Sequence, residues 1–114
     1  MAPALTVVIR EDPRKTHRAV EALRIALGLG AGDNPMTVVL VGEAARLLGT
    51  DAEDIIDGEI LEKHLPALKE LGIHFIIESG SRARLSLDSA LSVEEKTPDS
   101  IAMLVAQSPH TLVF

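Results

Sequence analysis

The chain has 114 residues, 46% of them hydrophobic, and a formal net charge of -6 at pH 7. The apolar content argues against disorder, and the negative charge argues against nucleic-acid binding, which needs Lys and Arg to displace counterions. Cysteine is absent, which excludes disulfides, thiolate catalysis and thiolate metal sites within this chain.

The chain length and the first residues of the sequence predict a simple organisation. A chain of this length suits one domain, spanning residues 1–114. The first residues lack the basic segment before an apolar run that marks a secretory signal. No apolar run approaches the ~18 residues of a membrane span. We therefore expect a soluble, cytoplasmic protein that binds neither membranes nor nucleic acid.

The amino-terminal part predicts a strand, a charged loop and a helix. Leu5–Ile9 is a short, β-branched apolar run, which is typical of a strand. Asp12 or Thr16 is expected to cap the following helix, with Pro13 at its first position. Apolar residues at helical spacing predict that the helix continues to the glycines that begin at Gly28.

The middle of the chain predicts a buried strand and an amphipathic helix. Residues 36–41 are apolar except for Thr37 and do not alternate, as expected for a parallel strand covered on both faces. Residues 43–48 predict a short helical turn. Residues 59–71 have an apolar face at helical spacing. Because Pro66 lacks an N–H group, we expect a kink or a break near His64.

An acidic segment follows the predicted turn at 43–48 and overlaps the start of the amphipathic helix at 59–71. Residues 51–62 contain six acidic side chains and no Lys or Arg. Such a run usually forms a solvated face, although it also suits docking of a basic partner. The acidic residues are Asp51, Glu53, Asp54, Asp57, Glu59 and Glu62.

The carboxyl-terminal part continues the alternation of strands and helices. It predicts a buried strand at 73–77, a polar loop at 78–84 and a short helix near 86–90. A polar edge strand is expected at 92–95, followed by a helix at 98–107 that Thr97 caps and by a strand at 111–114. Strands that alternate with helices form a parallel sheet with helices on both faces. The expected fold is therefore α/β, with a five-stranded, mainly parallel sheet.

Polar side chains follow three of the predicted strands, and these loops should meet at the carboxyl edge of the sheet. The candidate ligand-binding residues are Arg10, Arg14 and Lys15 in the first loop, Gly42 in the second, and Glu78, Ser79, Ser81, Arg82 and Arg84 in the third. Guanidinium groups and backbone N–H groups suit an anion or a small ligand, and Glu78 suits proton transfer in an enzyme. The same set also suits ion pairs and helix caps that only hold the loops in place.

Other chemistries have little support in the sequence. The four histidines are scattered, and no pair has the i, i+4 spacing of a zinc site on one helix. Ser79 and Ser81 have no evident histidine base, which disfavours a serine nucleophile. The glycines after Gly28 end a helix, whereas a phosphate-binding fingerprint opens one. We expect no metal, no cofactor and no catalytic residue.

Four stretches in combination resemble the DsrE/DsrF-like family of sulfur-relay proteins, which includes YchN and the TusB, TusC and TusD subunits. These are AVEALRIALGLGAGDNPMTVVLVGEAARLL, LPALKELGIHFIIESG after the acidic segment, TPDSIAMLVAQSP and the terminal TLVF. The resemblance covers nearly the whole chain. It implies a three-layer α/β/α domain with a five-stranded, mainly parallel sheet, and assembly into trimers, hexamers or heterohexamers.

The resemblance does not extend to the chemistry of the family's sulfur carriers. Several members relay sulfur as a cysteine persulfide, on a cysteine that commonly lies just after the third strand. The matching position here is Glu78 or Ser79, and neither residue supplies a thiolate. The resemblance therefore implies a non-catalytic, oligomeric scaffold or partner of a sulfur-transfer protein. The alternative is a small-ligand or anion-binding protein that uses the carboxyl edge of the sheet.

Overall fold

The computed structural model describes residues 5–30, 36–49, 55–56, 58–71, 73–85, 87 and 91–114. These residues form five strands: β1 Leu5–Ile9, β2 Met36–Leu40, β3 His74–Glu78, β4 Ser92–Lys96 and β5 Thr111–Val113. They also form the α-helices α1 Arg18–Gly30, α2 Gly58–Leu71, α3 Ser81–Arg84 and α4 Pro98–Gln107, and a 3₁₀ helix at Gly42–Leu48.

The five strands form one sheet in the order β4-β3-β2-β1-β5. All four neighbouring pairs are parallel. β1 and β2 are buried at four of their five positions, because a parallel sheet covered on both faces has no solvent side and its strands do not alternate. The expected five-stranded, mainly parallel α/β sheet is therefore confirmed.

The two faces of the sheet carry unequal layers. One face packs against α1, the 3₁₀ helix and α2 in a large apolar cluster, which includes Leu23, Leu47 and Leu68. Among the described elements, α4 packs on the other face, in a small cluster of Val8, Val39, Ile76 and Ile101. Right-handed crossovers account for this division, because three successive connections move one way along the sheet and the fourth moves back. The result is a three-layer α/β/α domain.

The start of α1 differs from the sequence prediction. Pro13 does not open this helix, which begins at Arg18. Asp12 instead accepts the backbone N–H of Arg14 at Oδ1, 2.9 Å away, and so holds a separate turn. Thr16 Oγ1 accepts the N–H of Arg18 at 3.2 Å. Of the two predicted caps, Thr16 is therefore the one that serves the helix.

The predicted break in the amphipathic helix is wrong, since α2 continues through Pro66. Pro66 is exposed, while Leu61 and Leu68 are buried on either side of it. Packing on both sides of the proline holds the helix together although Pro66 can donate no backbone hydrogen bond. The helix is therefore stabilised by tertiary contacts that a local pattern does not reveal.

The short third helix lies earlier than predicted, at Ser81–Arg84. Gly80 has φ +93° and turns the chain directly after β3, a conformation that only glycine adopts without strain. Most of the predicted segment 86–90 lies outside the described residues, but Leu87 forms a bridge with Gly49. Leu85 is already extended, so the helix ends before that segment.

One buried hydroxyl group lacks a hydrogen-bond partner. Thr6 is fully buried on β1, and its Oγ1 atom has no partner among the described residues. Thr6 lies in register with Thr37 on one side and Thr111 on the other. A buried hydroxyl group without a partner lowers stability, because it gives up its hydrogen bonds to water.

We therefore expect Thr6→Val to stabilise the protein. Valine keeps the β-branched shape and removes the unpaired hydroxyl, which should raise the free energy of unfolding by about 1 kcal/mol and the melting temperature by about 4 °C. Thr111→Val is the matched control: Thr111 is only partly buried on an edge strand, so its effect should stay within about 0.5 kcal/mol. Urea unfolding measures both, and a destabilised Thr6→Val variant would contradict the expectation.

Candidate functional site

The loop after β1 is held by an ion pair between Asp12 and Arg14. Arg14 donates from Nε to Oδ1 of Asp12 at 3.1 Å and from Nη2 to Oδ2 at 2.9 Å. This side-chain hydrogen bonding is the main reason why the pKa of Asp12 lies below its usual value of 3.8. Burial opposes the shift, while the backbone N–H of Arg14 and the charges of Arg14 and Lys15 reinforce it. The carboxylate of Asp12 is therefore fixed in its charged form.

Arg14 also connects the first loop to the second. Its Nη2 atom lies 3.6 Å from Oε2 of Glu43, the second residue of the 3₁₀ helix. Glu43 pairs in turn with Arg46, three residues further along the chain. Arg14 thus lies between two carboxylates of this chain, which already neutralise the charge that a bound anion would need.

Glu78 connects the second loop to the third. The backbone N–H of Gly42 donates to Oε1 of Glu78 over 2.5 Å. Gly42 has φ +62°, a conformation that favours glycine, and this turn starts the 3₁₀ helix immediately after β2. Glu78 is the last residue of β3 and is partly buried. Its carboxylate therefore satisfies one of the free N–H groups at the start of a helix, which an external anion would otherwise bind.

The chain leaves β3 and β4 towards opposite faces of the sheet. After β3, Leu85 and Leu87 pack on the larger cluster, whereas α4 follows β4 and packs on the smaller one. The backbone N–H of Ser79 still donates to the carbonyl oxygen of Lys96 at 2.9 Å. Ligands of α/β proteins usually bind where neighbouring connections diverge in this way, and here Ser79 is exposed.

The structure brings together only some of the predicted site residues. Arg14, Gly42 and Glu78 take part in the contacts that join the three loops. Arg10 and Lys15 are exposed, and neither forms a side-chain hydrogen bond or ion pair within the described part of the chain. Ser81 is buried at the start of α3.

Other parts of the predicted site fall outside the description. This applies to the side chains of Arg82 and Arg84, and whether they approach the carboxyl edge stays a prediction. Residues 51–54 and 57 of the acidic segment, which was predicted as a solvated face or a docking patch, also lie outside the described residues.

Sequence reasoning missed two residues beside the site. Arg46 pairs with Glu43, and the i, i+3 spacing on a helix could have revealed this pair. Lys96 lies in register with Glu78 on the neighbouring strand, and its Nζ atom lies 3.3 Å from Oε1 of Glu94. Only the register between β3 and β4 brings Lys96 to the site, and the sequence does not reveal that register.

The described ranges contain neither a metal cluster nor a membrane-spanning helix. No group of three or more His, Cys, Asp or Glu side chains there has the arrangement of a metal site. None of the helices within these ranges combines the length and the apolar character needed to cross a bilayer.

The fold resembles that of a protein of known structure. The chain matches the crystal structure of the ychN protein from E. coli with a TM-score of 0.75 and 18% sequence identity, over 98% of this chain and 99% of that one. No protein-family model matches the sequence, and no curated protein matches it either. The match establishes a DsrE/YchN-like fold for a chain that contains no cysteine.

The contact between Glu78 and Gly42 can be tested by substitution. Glu78→Ala should lower the free energy of unfolding by about 1 kcal/mol, because it leaves the N–H of Gly42 without its acceptor. Glu78→Gln keeps a carbonyl oxygen at the same distance along the side chain and should lose less. Chemical denaturation measures both variants. If glutamine costs as much as alanine, the negative charge and not the hydrogen bond carries the effect.

The ion pair of Asp12 should make stability depend on pH. The folded pKa of Asp12 is lowered from 3.8, so its contribution is fully present above that value and disappears as the pH falls through the folded pKa. Asp12→Asn should therefore be less stable than the unchanged protein at pH 7, and the difference should shrink below about pH 4. Glu11→Gln, in the same loop, is the control, and urea unfolding at several pH values is the measurement. A difference that stays constant with pH would contradict this expectation.

Proposed function

We propose that this protein is a non-catalytic, oligomeric DsrE-like protein that acts as a scaffold or partner in intracellular sulfur transfer. It would do so without carrying sulfur itself, because the sequence contains no cysteine and a persulfide requires a thiol. The proposal combines the YchN-like fold with the state of the carboxyl edge. At that edge, polar groups of this chain bind one another.

The observation that carries the proposal is the chain of contacts across the three loops. Arg14 is paired with Asp12 and lies near Glu43, and the N–H of Gly42 is bonded to Glu78. A site that binds a ligand keeps donors or charges available for it. Here an arginine and a helix-start N–H are bonded within the chain, which favours a structural role for the edge.

Neither residue at the position of the family's cysteine is suited to a covalent step. The carboxylate of Glu78 is bonded to Gly42. A serine at position 79 would need a neighbouring base to become a nucleophile. His74 is at the opposite end of β3 and contacts Ser92 and Glu94, over 3.4 Å and 3.0 Å. This supports a role in binding and not in catalysis.

The exposed end of β3 is the surface that we assign to a sulfur-transfer partner. Ser79 and Gly80 are exposed where the connections after β3 and β4 diverge, and this surface offers backbone groups and small side chains. A partner that carries a persulfide could approach the edge closely there, because no large side chain of residues 79–80 stands in its way. The acidic residues 51–62 would provide a second contact for a basic partner.

Two cations favour the second candidate function, binding of a small ligand or an anion. Arg10 and Lys15 are exposed in the loop after β1, and the described residues supply no side-chain partner for either. Two such cations beside the ends of parallel strands suit a phosphate, a sulfate or a carboxylate.

Binding to sulfur-transfer proteins tests the proposal directly. The purified protein is mixed with the cysteine-bearing DsrE-like proteins of the same organism, and light scattering after size exclusion measures complex formation. We expect a stable complex with at least one of them and no added sulfur mass on this chain. Ser79→Arg should weaken the complex because it places a bulky cation at the edge, whereas the control Ser92→Arg, on an exposed residue at the other end of the sheet, should not.

The other outcomes decide against this function. If none of these proteins binds, or if both arginine variants bind equally well, the proposed partner surface is wrong. Native mass spectrometry of the freshly purified protein tests the second candidate. A small anion that remains bound and is lost in Arg10→Ala would favour the ligand-binding function.

A further inference from the structure

The last part of the chain differs in charge from all the rest. All 11 Lys and Arg residues and all 17 Asp and Glu residues lie before position 100. Residues 100–114 therefore contain no such residue, and His110 is their one ionisable side chain. In the structure this stretch forms most of α4 and the whole of β5. An uncharged surface of this extent is unusual on a chain that is one quarter charged elsewhere.

The outer side of α4 is apolar around Met103, and its one charged residue, exposed Asp99, lies one turn earlier. Ile101 is the buried residue of this helix, while Met103 remains 62% exposed. Ala102 and Ala106 are also exposed. The sheet covers the side of α4 that carries Ile101, and Met103 lies on the side that the sheet leaves uncovered. Met103 is thus a large apolar side chain whose burial would be favourable.

β5 extends the same uncharged surface to the edge of the sheet. Val113 is in register with Val8, so it lies on the face that packs against α4, yet 53% of it is exposed. On the other edge of the sheet, β4 carries Glu94, Glu95 and Lys96, charges of the kind that prevent contact between edge strands. β5 has no such protection.

We propose that a second copy of this chain docks on the surface formed by the outer side of α4 and by β5, called the α4–β5 surface. This proposal rests on the self-association included in the proposed function and specifies where it occurs. In a two-fold contact each patch meets itself, so every charge near the axis meets a like charge. For a chain of net charge -6, an uncharged apolar patch avoids that repulsion. A basic partner would instead favour the acidic surfaces.

Another exposed apolar pair, Ile56 and Ile60, is less suited to self-contact. Ile56 lies just before α2 and is 39% exposed, and Ile60 lies in the first turn of α2 and is 40% exposed. Exposed Glu59 lies beside them and exposed Glu62 follows on the same helix. Two copies that met through this end of α2 would bring these carboxylates together, which costs free energy. Depletion of charge together with an exposed methionine is the usual composition of the core of an interface.

Sedimentation equilibrium of the full chain over a wide range of concentrations tests this surface. The unchanged protein should self-associate, and Met103→Glu and Met103→Lys should both raise the dissociation constant by about tenfold or more. Both charges should act in the same direction, because each would meet its own copy across the contact. Ile60→Glu and Ile60→Lys are the matched controls and should leave the dissociation constant unchanged. Circular dichroism verifies that each variant is folded, and Met103→Leu should retain assembly.

Each remaining outcome overturns a defined part of the proposal. If the Ile60 variants dissociate and the Met103 variants do not, self-association stands but the α4–β5 surface is wrong. If Glu and Lys at position 103 act in opposite directions, the contact is not between like patches. If the unchanged protein is a monomer at every concentration, the surface and the oligomeric part of the proposed function both fail. Binding of a sulfur-transfer protein is then judged by the Ser79→Arg comparison alone.

Discussion

The handedness of the parallel crossovers determines most of this structure. Three connections lead from β1 to β4 in one direction across the sheet, and the last returns to place β5 beside β1. Since parallel crossovers are right-handed in almost all proteins, the first three connections must cover one face and the fourth must cover the other. The unequal clusters follow: α1, the 3₁₀ helix and α2 form one layer against one face, and among the described helices α4 covers the other. The same constraint makes the chain diverge after β3 and β4.

The contacts at the carboxyl edge join connections that leave the sheet towards the same face. β1, β2 and β3 lie next to one another, so their following loops are close enough for side chains to join them. Arg14 reaches Glu43, and Glu78 reaches Gly42. Individual exposed pairs of this kind contribute little to stability. Their combined effect is to fix the loops relative to one another, and this use of the charges leaves fewer of them for a ligand.

Much of the fold could be predicted because local and tertiary preferences agree. The apolar run at β2 predicts a buried parallel strand, and Thr97 followed by proline predicts the start of α4, where Thr97 Oγ1 does accept the N–H of Ser100. Prediction failed at two places for different reasons. A local bond between Asp12 and Arg14 holds a turn that delays α1. Tertiary packing of buried leucines keeps α2 continuous through Pro66. The site was harder for the second reason: the sequence places Glu78 in a loop, but only the packing of β2 beside β3 brings it to Gly42.

The fold places the contacts of the carboxyl edge and the exposed Met103 on different elements. The contacts join the ends of β1, β2 and β3, whereas Met103 lies in the middle of α4. β5 itself ends at the carboxyl edge, where the carbonyl oxygen of Phe114 accepts the backbone N–H of Arg10. A substitution at position 78 or 79 changes the chemistry of the edge without touching a residue of the α4–β5 surface. Such a substitution therefore leaves whatever assembly that surface supports. The YchN-like fold, which this chain shares at 18% sequence identity, depends on the crossover pattern and the two apolar clusters and not on the chemistry of the edge.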